Sequence, residues 1–156
     1  MENDAIKKEI LKILEYSEAK GGVSNFTDKD WEAVVEMANQ ISANNKEARE
    51  ECIDVLEILD DENRIRRGVS KKDAQSLLNE PQTKWLNVRL AEIEKQIFMK
   101  GGVSNLSDDD WDGLVKCLDH IVEISKNNEG VRTLLLDYVT CLEKKKQIFK
   151  MTQKSA

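Results

Sequence analysis

Four aspartates crowd the stretch Asp108-Asp109-Asp110-Trp111-Asp112-Gly113, and their spacing invites a metal. With Val115 and Asp119 it matches a twelve-position calcium loop: acids at loop positions 1, 3, 5 and 12, glycine at 6 and an apolar residue at 8. Such a loop must start non-helical, so that its oxygens can wrap the ion. Against that, Gly101-Gly102 stands where an entering helix belongs, and the last acid is Asp rather than the longer Glu. The matching earlier stretch, Asp28 to Asn39, lacks both the glycine and the final acid. The ordinary reading is a solvated helix start, with calcium at Asp108–Asp119 a minor alternative; no metal ligand and no cofactor is assigned.

His120 is the only histidine, so a histidine-rich metal site or a histidine-dependent triad has little to draw on. Cys117, three residues earlier, could share a metal with it on a helix, but no further ligands cluster nearby. Cys52 and Cys141 fall on apolar stripes, where a thiol packs as a small hydrophobe. No nucleophile–base spacing and no cofactor motif is present, so the chain is not expected to be an enzyme.

Basic residues gather at two helix ends: Arg64, Arg66, Arg67, Lys71 and Lys72, and then Lys144, Lys145, Lys146 and Lys150. Cations complement the dipole at helix C-termini. If the fold brought both clusters to one face, they would make a patch for nucleic acid or a phosphorylated partner.

A further candidate occurs twice. Lys20-Gly21-Gly22-Val23-Ser24-Asn25 returns 80 positions later as Lys100-Gly101-Gly102-Val103-Ser104-Asn105. Glycine-rich loops before helices can cradle phosphate. Here Thr27 and Ser107 already serve the free amides, and the following aspartates would repel an anion. The loops therefore read as helix stops and caps, or as a partner-binding surface if they lie together. Trp85, which has no twin, is a possible interface anchor.

The elements that position these residues follow from periodicity. Ile6, Ile10, Ile13 and Ser17 lie on one helical stripe, as do Leu86, Leu90, Ile93 and Ile97. Each helix stops at Gly-Gly, which accepts positive φ. Thr27 and Ser107 read as N-caps, with Phe26–Trp31 and Leu106–Trp111 as hydrophobic staples. Val34, Ala38 and Ile41 continue the first of these helices, and Leu114, Leu118 and Ile121 the second. The second is expected to run about three residues longer, since Ser125-Lys126-Asn127-Asn128 matches Ser42-Ala43-Asn44-Asn45. Third helices carry Cys52, Val55 and Leu59, and Val131, Leu135, Tyr138 and Leu142. A short connector helix over Lys71–Leu78 is expected to end at Asn79-Glu80-Pro81.

The expected fold is all-α: an internal duplication of two three-helix units, 4–67 and 85–150, with a connector 68–84 and a frayed tail 151–156, packed as one pseudo-two-fold domain. Six main helices and one connector helix result.

The chain has 156 residues, 35% of them charged, and a net charge of −6. Diffuse attraction to nucleic acid or anionic membrane is not expected of such a molecule. No apolar run is long enough to span a bilayer, and the N-terminus lacks a signal peptide's pattern, so a cytoplasmic location is expected. The expected function is a non-enzymatic protein-binding module, an acidic inhibitor, antitoxin, immunity-type or adaptor protein acting on a basic partner. A nucleic-acid-binding regulator is the alternative, and the chain is expected to be a monomer or homodimer.

Overall fold

The computed structural model describes residues 2–71 and 75–155. They form six α-helices in the order α1 (Glu2–Ala19), α2 (Asp28–Asn44), α3 (Arg49–Arg66), α4 (Glu80–Met99), α5 (Asp108–Ile124) and α6 (Glu129–Ser155). Among the described residues there is no strand, only an isolated antiparallel bridge between Val69 and Ser76. None of these helices is long and apolar enough to cross a membrane.

The expected stripes are the core. Ile10, Ile13, Val34, Val55, Leu59, Leu86, Leu90, Leu118, Leu134 and Leu142 are buried in one continuous cluster fed by all six helices. α3 and α6 pack along each other, and α1 lies against both. α5 stands further off from α6, leaving an open groove of about 530 Å³ lined by Val115, Val122, Leu136 and Val139.

Local chemistry sets the ends. Thr27 caps α2 and Ser107 caps α5, each in a capping box whose returning acid is aspartate. The staple closes with the Phe26 and Trp31 rings edge to face at 5.0 Å.

Three expectations are corrected. The connector is not helical over residues 75–78: Ser70 N donates to Gln75 O and Leu77 N to Gly68 O, both at 2.8 Å, which folds the chain back on itself. Lys72 and the two residues after it lie outside the described residues. Pro81 opens a helix rather than ending one. Asn79 caps α4 by accepting from Gln82 N, and a first-turn proline loses no helical hydrogen bond. Finally, α5 is no longer than α2. The additional residues form a loop in which Lys126 and Asn127 take φ of 62° and 58°, and Asn128 Oδ1 then accepts from Val131 N at the start of α6.

Candidate functional site at the two glycine loops

The loops 20–25 and 100–105 are built alike. After α1, Gly22 N donates to Ser17 O at 2.9 Å; after α4, Gly102 N donates to Ile97 O at 2.9 Å. This is the six-to-one bond of a helix stop with a left-handed glycine. Gly22 has φ 96° and ψ 171°, and Gly102 has φ 97° and ψ 174°, a region open essentially to glycine alone. Asn25 Nδ2 donates to Lys20 O at 2.7 Å, and Asn105 Nδ2 to Gly101 O at 2.8 Å. Val23 and Val103 are buried. Lys20 reaches Asp30 and Lys100 reaches Asp110, each at 3.4 Å. The fold therefore accounts for most of the shared residue types without a ligand.

The cap acids are tuned accordingly. The Thr27 amide and then the Tyr16 hydroxyl, which donates to Asp30 Oδ1 at 2.7 Å, hold the Asp30 carboxyl down at about 2. Asp110 is lowered chiefly by the Ser107 amide.

The structure brings the two loops together on one small cavity. Gly21, Gly22, Gly102 and Val103 line about 30 Å³ of space, with Phe98 and Tyr138 beside them. Three glutamates meet there. Glu18 of α1 accepts from Val103 N at 3.2 Å, and its other oxygen sits where a Cβ on Gly102 would be. Glu94 of α4 occupies the corresponding place against Gly22 and pairs with Arg66 at 2.7 Å. Glu62 of α3 pairs with Lys145 of α6 at 2.5 Å, and both side chains are almost wholly buried. Arg66 also donates to Asn87 O at 2.9 Å. Three carboxylates against two cations leave one negative charge uncompensated.

Desolvation governs the site. Burial pushes Glu18 up, opposed first by the Val103 amide. It also pushes Glu94 up, against the pull of Arg66. Lys145 is raised because the surrounding glutamates, Glu62 first, outweigh the burial that would lower it. Tyr138 is 1% exposed, its hydroxyl has no hydrogen-bond partner among the described residues, and burial raises it well above the usual tyrosine value.

Among the described residues, the basic ends do not form a free cationic face. Arg66 and Lys145 are inside. Arg64 is held by Asp61 at 2.7 Å and by Val69 O, and Lys71 by Asp61 at 3.2 Å. Lys146 lies over the Trp111 ring at 4.8 Å. Arg67 and Lys144 are exposed; Lys72 and the Lys150 side chain lie outside what is described. Trp85 is half-buried against the core, with Arg89 over its ring at 5.5 Å. Asp108 through Asp119 are helical throughout and Asp110 is committed to the cap, which is not calcium-loop geometry. Among the described residues, no group of three or more His, Cys, Asp and Glu could hold a metal ion. His120 and Cys117 are exposed and Cys52 and Cys141 buried.

Sequence reasoning missed Glu18, Glu62, Glu94 and Tyr138 as a cluster, and Phe98 and Met99 as exposed apolar residues at 54% and 75%. One signal was present. Glu62 and Arg66 continue the stripe Cys52, Val55, Leu59, and Lys145 continues Leu135, Tyr138, Leu142; charge at a core position implies a buried partner.

Comparison of the chain with protein-family models, with curated proteins and with solved structures finds no match.

Proposed function

We propose that this chain is a non-enzymatic protein-binding module whose recognition face lies at the two glycine loops, and that its partner is basic. The observation that carries this is the convergence of both loops on one carboxylate-lined cavity, which the exposed Phe98 also lines, with the exposed Met99 next to it in the chain. Exposed aromatic and methionine side chains beside desolvated charge make an anchor-type interface. The excess of negative charge, locally and over the molecule, suits a cationic partner and predicts salt-sensitive association. The cavity is too small for an organic substrate.

The face also suggests an origin. The two halves are proposed to descend from a duplication and to pack about an approximate two-fold axis. Glu18, from the first half, supports the second loop, and Glu94, from the second half, meets the first. Glu62 and Lys145 stand 83 positions apart, the offset that also relates Asn45 and Asn128.

The test is capture of a partner by the tagged full chain from a lysate of the source organism, in the presence of nuclease. Phe98→Ser with Met99→Ser is compared with Val115→Ser and Leu136→Ser in the α5–α6 groove. A stoichiometric basic protein lost with the first pair, kept with the second and weakened by salt supports the reading. Capture indifferent to Phe98 and Met99 refutes it.

A further inference from the structure

We propose that the open groove between α5 and α6 is a self-association face, which a second copy of this chain covers about a two-fold axis running along the groove. The floor of the groove is already packed: Leu118 and Leu135 are buried. Its edges are not. Val115 on α5 is 43% exposed and Leu136 on α6 is 63% exposed, so a hollow and an apolar knob lie side by side on one surface. Left uncovered, this strip costs free energy in proportion to its apolar area.

Charge indicates what covers it. Asp119 and Glu123 line the α5 edge, and Arg132 lines the α6 edge. All three are exposed, and their side chains make no ion pair or hydrogen bond among the described residues. Opposite signs thus stand on the two sides of the opening without pairing inside the chain. A basic helix from another protein would be drawn to the acids and repelled by Arg132; an acidic helix would meet the reverse. A second copy satisfies both edges at once. α5 and α6 run in opposite directions on either side of the turn at Asn127. A two-fold axis along the groove therefore lays α6 of each copy antiparallel on α5 of the other. Arg132 then stands over Asp119 and Glu123 of the second copy, and Leu136 enters the second copy's hollow. Each contact occurs twice, as it must in an isologous interface.

The acids belong to this half alone. Eighty positions before Asp119 and Glu123 the chain has Asn39 and Ala43, and α2 packs along α3 instead of standing off it.

Size sets the strength. Ten residues line the groove, well below the roughly 20–30 a side of a standard interface. The net charge of −6 on each copy also opposes approach. The dimer is therefore reversible, with a Kd that is roughly micromolar or weaker.

The experiment is sedimentation equilibrium of the full chain from roughly 1 μM to 1 mM, the range over which such a contact dissociates. A monomer–dimer equilibrium is expected. Arg132→Glu should raise the dimer Kd by about tenfold or more, because attraction becomes repulsion at both contacts. Asp119→Lys with Glu123→Lys should do the same, and Leu136→Ser should weaken the dimer without changing charge. Mixing the two charge-reversed proteins should restore a dimer with one copy of each, since the signs then match at both contacts. All these positions are exposed, so the variants are expected to fold, which circular dichroism checks. A chain that stays monomeric throughout overturns the proposal. So does a dimer indifferent to Arg132→Glu, or a mixture no tighter than either variant alone, since the copies would then meet elsewhere. A chain that is monomeric alone but whose groove a captured protein protects also overturns it, and gives the groove to a foreign helix. Partner capture at the glycine loops is independent: its failure leaves this dimer standing.

Discussion

Replacing Lys145 tests the buried charge cluster most sharply. The side chains of Lys145 and Glu62 are 6% and 3% exposed and lie 2.5 Å apart. Lys145→Met keeps the stem's bulk and deletes the charge. Glu62 is then stranded in the interior beside Glu18 and Glu94, with Arg66 the one remaining cation of the cluster. Breaking a buried pair from one side costs about 3–5 kcal/mol. Domains have about 5–15 kcal/mol in total, so the loss is a large share, and the melting temperature should fall by about 6–20 °C for a chain of this size. Urea denaturation of the full chain reads it directly. Removing both charges, as Glu62→Leu with Lys145→Met, should restore stability to within about 1–2 kcal/mol, because a well-packed apolar pair avoids the desolvation penalty. The single variant should recover part of its loss at mildly acidic pH. Lys145 holds the Glu18 and Glu94 carboxyls down, so without it both rise further, and protonation then relieves the cluster. A single-variant cost under about 1 kcal/mol, or a double variant as unstable as the two singles summed, would refute the reasoning.

Other outcomes follow from the same structure. Gly22→Ala and Gly102→Ala should each lose about 1–3 kcal/mol from backbone strain alone, with more from displacing a carboxylate; thermal melts showing under about 0.5 kcal/mol would contradict this. Glu18 and Glu94 have pKa values raised in the folded state. Their contribution to stability is whole below the ordinary glutamate value and is lost as pH rises through the raised values. Asp30 is lowered to about 2 and Asp110 is also lowered, so their contributions are lost as pH falls below the ordinary aspartate range. Urea midpoints should therefore peak near about pH 4–5 and decline towards neutrality; a steady rise to about pH 8 would be the wrong sign. Of the three thiols, Cys117 should react at once with a disulfide reagent. Cys52 and Cys141 should react only on unfolding, being buried, with the Cys141 thiol pushed up to about 12. Immediate reaction of more than one thiol would show that the third-helix stripes are not packed as described.

Most of the fold was legible because its signals are local. Helical stripes, glycine stops and Thr or Ser caps act within a few residues, and each fell where periodicity placed it. Pro81 misled because a proline is tolerated at a helix start as well as past its end, and Asn79, three residues before Gln82, was the cue for a start. Ser125–Asn128 misled because an inserted loop and a lengthened helix look alike in sequence until backbone φ is known. The cavity was the least legible part. Glu18, Glu62, Glu94 and Lys145 meet only through packing of α1, α3, α4 and α6, a matter of helix crossing rather than spacing. Arg66 and Lys145 looked like dipole-complementing cations because residues at helix ends are usually solvated. Their stripe positions pointed inward instead.

The most direct test of the recognition face is hydrogen exchange on the full chain, free and bound to its captured partner. Joint protection of residues 18–25 and 94–105, beyond any change elsewhere, is the predicted result. Protection confined to the α5–α6 groove around Val115 and Leu136, with both loops unchanged, would contradict it.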